Sequence, residues 1–106
     1  MESSIWNCNL FRFDSRTLQF LRKEGFHNSS EVRKVIVLGE VEYHSIIFEI
    51  EVGNIRISIS KMGVIFLFVD NLMRAYRWFL VTRLEEFLEA YGEILEFIEK
   101  GEENNV

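Results

Sequence analysis

A chain of 106 residues, 48 % apolar and 27 % charged, has the size and composition of one globular domain, too apolar for intrinsic disorder. Its net charge of −5 argues against indiscriminate polyanion binding, and one cysteine (Cys8) with two scattered histidines (His27, His44) makes neither an internal disulfide nor a metal-ligand pattern. No basic-then-apolar leader opens the chain, and its longest apolar run, residues 64–69, is far short of the ~18 residues that span a bilayer, so a soluble, cytoplasmic single domain without a cofactor is expected.

Residues 1–13 read as an N-terminal arm or strand, with Trp6, Cys8 and Leu10 on one side of a period-two pattern and Arg12 set between Phe11 and Phe13. A short helix follows. Asp14-Ser15 offers an N-cap, Leu18 and Leu21 supply an apolar side, Arg22 and Lys23 close the last turn, and Gly25 stands where a left-handed C-cap belongs. His27 to Ser30 reads as a polar loop.

From residue 31 to 69 the pattern is β. Residues 32–38 are rich in branched side chains, Gly39 interrupts as a turn or bulge, and residues 41–52 continue with a change of phase near His44-Ser45. Ile46, Phe48, Ile50 and Val52 then share one face, Gly53-Asn54 makes a two-residue turn, and Ile55, Ile57 and Ile59 return on that same face, placing Glu51 opposite Arg56. Ser58 and Ser60 join Arg56 on the outer, polar face. Residues 64–69 are apolar on both sides, as in a central or covered strand. The expected fold is α+β, an antiparallel β-meander of about four strands with a short N-terminal helix and a long C-terminal amphipathic helix.

Leu84, Phe87, Leu88, Tyr91, Ile94, Leu95 and Ile98 recur at three- and four-residue intervals and fix the amphipathic character of the last helix. Its start has two readings. Met73, Tyr76 and Leu80 extend the stripe backward in phase and predict one helix over about residues 71–99, whereas Thr82 and Glu85 resemble a capping box and would leave 74–81 as a fifth strand. A helix from 71 would be ~40 Å long, more than so small a domain covers, so the stripe with Phe97 is also a candidate oligomer interface. Residues 101–106 read as a disordered acidic tail.

Charge divides sharply along the chain. Residues 54–83 carry Arg56, Lys61, Arg74, Arg77 and Arg83 against Asp70 alone, a net of +4, while 84–106 hold eight glutamates against Lys100, a net of −7. Within the basic stretch Tyr76 and Trp78 alternate with the arginines, and a guanidinium beside an aromatic face is a pairing that holds phosphates while bases stack. Arg74 and Trp78, four apart, share a face in either a helix or a strand. Arg56, Lys61, Arg74, Tyr76, Arg77, Trp78 and Arg83 are therefore the candidate nucleic-acid contacts. An intramolecular cation–π pair, or burial of Trp78 in an interface, accounts for the same residues. Catalysis has little behind it: neither histidine has a partner that spacing brings near, Ser29-Ser30 lies in no nucleophile-elbow context, and no glycine-rich phosphate loop is present.

The β-meander, the segment Tyr76-Arg77-Trp78 and the helix that follows resemble two groups of single-stranded-DNA-binding proteins. One is the Whirly and positive-cofactor type, in which a strand ending like Phe79-Leu80-Val81 leads into a helix like the one opening at Thr82. The other is the small archaeal ThermoDBP-related group, which combines a sheet, flanking helices and self-association. Both resemblances imply single-stranded DNA held by stacking and phosphate contacts in a homo-oligomer, dimer or tetramer, with RNA as the alternative strand. A single glutamine and a single cysteine beside many Glu, Arg, Ile and Val fit a heat-adapted source, as in that archaeal group, while seven asparagines and no proline point the other way. A structural or regulatory module that binds a protein is the competing expectation.

Overall fold

The computed structural model describes residues 13–104, so the readings for the arm (Trp6, Cys8, Leu10, Arg12) lie outside the described residues. Eight elements follow in chain order: α1 (Ser15–Glu24), β1 (His27–Asn28), β2 (Val32–Val37), β3 (Glu40–Val52), β4 (Ile55–Ser60), β5 (Val64–Val69), β6 (Leu72–Trp78) and α2 (Leu84–Asn104). All strand pairs are antiparallel; the sheet runs β1-β3-β4-β5-β6, and β2 pairs with the first half of β3. The class is α+β, with six strands where about four were expected.

Helix α1 starts and stops where its end residues dictate. The Asp14 side chain accepts from the Arg16 amide, and Gly25 takes a left-handed φ of 103° while its N–H reaches the Leu21 and Arg22 carbonyls. His27–Asn28, read as loop, instead adds a two-residue strand to the edge of β3, because His27 falls opposite Glu49 and Asn28 opposite Phe48.

The largest departure lies between residues 70 and 83. Asp70 and Asn71 both take left-handed backbone angles (φ 53° and 67°), the geometry of a tight two-residue hairpin turn, and so send the chain straight back along β5 instead of capping a helix. The single helix over 71–99 is thus replaced by β6, an irregular stretch and α2. Leu72, Met73, Arg74 and Ala75 have helical preferences; pairing with the wholly apolar β5 overrides them. Helix α2 begins at Leu84 with the Arg83 carbonyl accepting from the Phe87 amide, later than the Thr82 capping frame, and it runs through Asn104.

A bulge between Ile46 and Phe48 changes the phase of β3, slightly later than the sequence suggests. Ile46 therefore does not share a face with Phe48 and Ile50. It turns to the far side of the sheet, and Val52 is exposed. Two cores result. On the helix side, Phe48, Ile57, Ile59, Ile65 and Leu67 pack against Leu21 of α1 and Phe87, Tyr91 and Ile94 of α2. On the far side, the β2–β3 hairpin bends over the sheet, so that Val35, Val37 and Ile46 meet Val64, Phe66 and Phe68. The polar outer face expected of the sheet is confined to its β3–β4 portion.

The two helices are linked by Tyr91, whose hydroxyl donates to Glu24 Oε1 at 3.2 Å. Burial and then the neighbouring Glu24 charge push its ionisation up to about 12, so it stays neutral and hydrogen-bonded.

Gly63 fixes the turn into β5. Its φ is 87°, and a Cβ there would sit 2.6 Å from the Phe79 carbonyl oxygen. Gly63→Ala is expected to lower stability by about 1–3 kcal/mol in urea unfolding, since both backbone strain and displacement of Phe79 oppose it.

Candidate functional site

The basic-aromatic segment forms β6, the end strand of the sheet order, and its residues part to two sides. Ala75 and Arg77, opposite Leu67 and Ile65, face the helices; Met73, Tyr76 and Trp78, opposite Phe68, Phe66 and Val64, face the far side. A bulge opposite Leu67/Phe68 falls at Arg74 and shifts the phase between Arg74 and Trp78, which four-residue spacing alone had aligned. Tyr76 is half-buried against the far-side core, whereas Trp78 is 57 % exposed.

Pairing continues past the end of β6. The Phe79 amide donates to the Gly63 carbonyl at 2.8 Å, bringing Leu80 alongside Met62, and both side chains are more than half exposed. Trp78 and Leu80 thus stand at the end of the sheet where the turn between β4 and β5 carries Lys61 and Met62, and Arg83 follows just before α2. Among the described residues Lys61, Arg74 and Arg83 make no ion pair.

The other two candidate cations are engaged. Arg77 Nε donates to Glu93 of α2 at 2.6 Å and its Nη1 to the Tyr76 carbonyl at 2.7 Å, clamping the helix to β6. Arg56 is half-buried and paired with Glu51 at 3.2 Å. Ser58 and Ser60, expected on the outer polar face beside Arg56, are fully buried: Ser58 donates to Glu49, and Ser60 accepts from the Met62 and Val64 amides. Of the stripe on α2, Phe87, Tyr91 and Ile94 are buried in the chain's own core with Leu84 and Ile98 packed beside them, leaving Leu88, Leu95 and Phe97 partly open.

Sequence reading missed the most enclosed charge cluster. Arg33, on the inner face of the hairpin, donates from Nη1 to Glu49 Oε2 (2.7 Å) and Ser58 Oγ (2.8 Å), pairs with Glu31, and lies over the Phe68 ring at 5.3 Å. A lone arginine in the alternation with Val35 and Val37 was the available signal. Burial alone would raise the Glu49 carboxyl; hydrogen bonds from Arg33 and Ser58 outweigh it and hold the carboxyl below its ordinary range. His44 is likewise buried, edge-on to Phe66 with Nε2 2.8 Å from Glu42 Oε1. So His44 does have a carboxylate neighbour; the imidazole is buried while Glu42 is partly exposed. Among the described residues no group of three or more His, Cys, Asp or Glu side chains is placed to hold a metal ion, and no helix is long and apolar enough to cross a membrane.

No protein-family model matches this chain, no curated protein matches it, and no solved structure matches it.

Removing Arg33 strands a partly buried carboxylate, so Arg33→Ala is expected to cost about 3 kcal/mol in chemical denaturation. Because the folded Glu49 ionises below its unfolded value of ~4.3, its contribution is complete above that value and is lost as pH falls through the lower, folded one. The stability difference between the parent chain and Glu49→Gln should therefore shrink between about pH 6 and about pH 3.

Proposed function

We propose that this protein binds single-stranded nucleic acid, DNA in the first instance, without marked sequence preference, and that it is not an enzyme. The observation that carries the reading is the exposed Trp78, in a part of the chain (residues 61–83) whose Lys61, Arg74 and Arg83 no carboxylate among the described residues neutralises. An indole held open to solvent offers a stacking surface to any base, and guanidinium and ammonium groups on its flanks suit the phosphates on either side. Arg74, Arg83 and Lys61 are the phosphate contacts in this reading, and Tyr76 is a second, partly covered ring. Arg77 and Arg56 contribute less, since Glu93 and Glu51 already hold them. The order of sheet, β6 and α2 is also what the Whirly-type resemblance implies, and self-association is common to that resemblance and the ThermoDBP-related one. His44 is buried edge-on to Phe66, which favours binding over hydrolysis.

The competing reading is a protein-interaction module in which Trp78 meets a partner protein. Its support is the apolar character of Met62 and Leu80, which stack on bases less well than they pack against another protein.

Fluorescence anisotropy with labelled oligo-dT at low salt separates the two. Saturable binding is expected, weakened about 10- to 100-fold by Trp78→Ala, with a log–log salt slope near −2 from about three phosphate contacts. Arg74→Ala should lower the slope by a little under one. No binding in the tens of micromolar range, or binding indifferent to both substitutions, sinks the proposal in favour of the protein-partner reading.

A further inference from the structure

Strand β6 ends the sheet, and Arg77 reaches round to its open side. The Phe79 amide donates to the Gly63 carbonyl, so these two residues form a hydrogen-bonded pair one step beyond Trp78 and Val64. Bonded and non-bonded pairs alternate along an antiparallel ladder, which makes Arg77 with Ile65 a bonded pair and Tyr76 with Phe66 a non-bonded one. The Tyr76 carbonyl therefore points away from β5, to the side on which β6 has no neighbouring strand among the described residues. Arg77 Nη1 donates to that carbonyl at 2.7 Å, which holds the guanidinium at the outer edge of β6 although the side chain sets out on the helix side.

We propose that this guanidinium is a phosphate site whose resident occupant is the Glu93 carboxylate, so that Glu93 acts as a built-in competitor of the nucleic acid. The inference rests on the nucleic-acid reading and names a control of that same surface. Carboxylate and phosphate oxygens compete for the same guanidinium donors. Glu93 Oε1 accepts from Arg77 Nε at 2.6 Å, yet the side chains of Arg77 and Glu93 are 43 % and 48 % exposed, open to an incoming strand. Arg77 adjoins Trp78 in the chain, so a backbone whose base stacks on the exposed indole passes within reach of this edge. An ion pair so exposed withholds its cation by at most about fivefold. That tunes affinity without closing the site. The Arg33–Glu49 pair, 13 % and 12 % exposed, offers a strand no such opening.

Titration of labelled oligo-dT with the full chain at several salt concentrations, read by fluorescence anisotropy, tests this through a double-mutant cycle. Glu93→Gln keeps a side-chain oxygen for the Arg77 Nε–H and gives up the charge. It is expected to tighten binding about 2- to 5-fold and to steepen the log–log salt slope from about −2 to about −2.7, as Arg77 takes one further phosphate. With Arg77→Ala the gain should vanish: Arg77→Ala alone and combined with Glu93→Gln should bind within about 1.5-fold of each other. Glu89→Gln makes the same charge change one turn earlier, at an exposed residue with no ion pair among the described residues. It should tighten binding by less than about 1.5-fold and leave the slope unchanged. Should Glu93→Gln lose its fold by far-UV circular dichroism, Glu93→Asp carries the test. It keeps the charge but draws the carboxylate back from Nε, and a smaller tightening that also vanishes with Arg77→Ala is expected. A parent chain that binds, with Glu93→Gln no tighter than the parent or than Glu89→Gln, or with a gain that survives Arg77→Ala, overturns this inference alone. Absence of binding by both the parent and Glu93→Gln overturns the nucleic-acid reading and this inference with it.

Discussion

Strand β5 is apolar on both faces, and that constraint organises the rest of the molecule. Val64, Ile65, Phe66, Leu67 and Phe68 are all buried, so the sheet cannot leave one side to water as antiparallel sheets commonly do. Two helices cover one face; they leave Phe66 and Phe68 on the other. The bulge in β3 answers that need, because it turns Ile46 over and bends the β2–β3 hairpin back across the far side. Burial of one aromatic side chain is worth about 2–3 kcal/mol, so leaving the far side uncovered would forgo much of a small domain's net stability.

Covering the far side brings polar groups into it, and those groups consume charges that would otherwise lie on the surface. Arg33 enters with Val35 and Val37 and is matched by Glu49, Glu31 and Ser58. On the opposite side Arg77 is spent on Glu93 to hold α2. The acidic helix and the basic strand are therefore partly each other's counter-charge, and the contrast along the sequence overstates what an approaching polyanion meets. Among the described residues what stays unpaired of the candidate cations is a smaller set, Lys61, Arg74 and Arg83.

Local signals account well for α1, the Gly53-Asn54 hairpin with Glu51 opposite Arg56, and the doubly apolar β5, because each is specified by residues adjacent in sequence: a cap, a turn, an alternation. The 71–83 stretch was less legible. Its helical phase is real, yet a turn formed by two non-glycine residues at positive φ, tied to its neighbour by Asn54 Nδ2 donating to Asp70 Oδ1 at 3.1 Å, depends on contacts sixteen residues away. The bend of the hairpin was hidden for the same reason. Of the candidate site residues, Trp78, Arg74 and Arg83 are exposed, but the pairing of Phe79 with Gly63 beyond the end of β6 is one that no spacing rule along one segment reveals.

The contact of Gly63 with the Phe79 carbonyl bears on how Trp78 behaves when something reaches it. Residues on either side of that indole are fixed: Arg77 is held by α2, and Phe79 is hydrogen-bonded to Gly63 and buried in the helix-side core. An exposed aromatic on a loose loop must be immobilised as it binds, at an entropic cost that subtracts from affinity. Here the backbone beneath Trp78 is already ordered by the core, so an occupant restrains little more than the two side-chain torsions of the indole. The hydrophobic interior thereby sets the rigidity of a residue that is mostly at the surface.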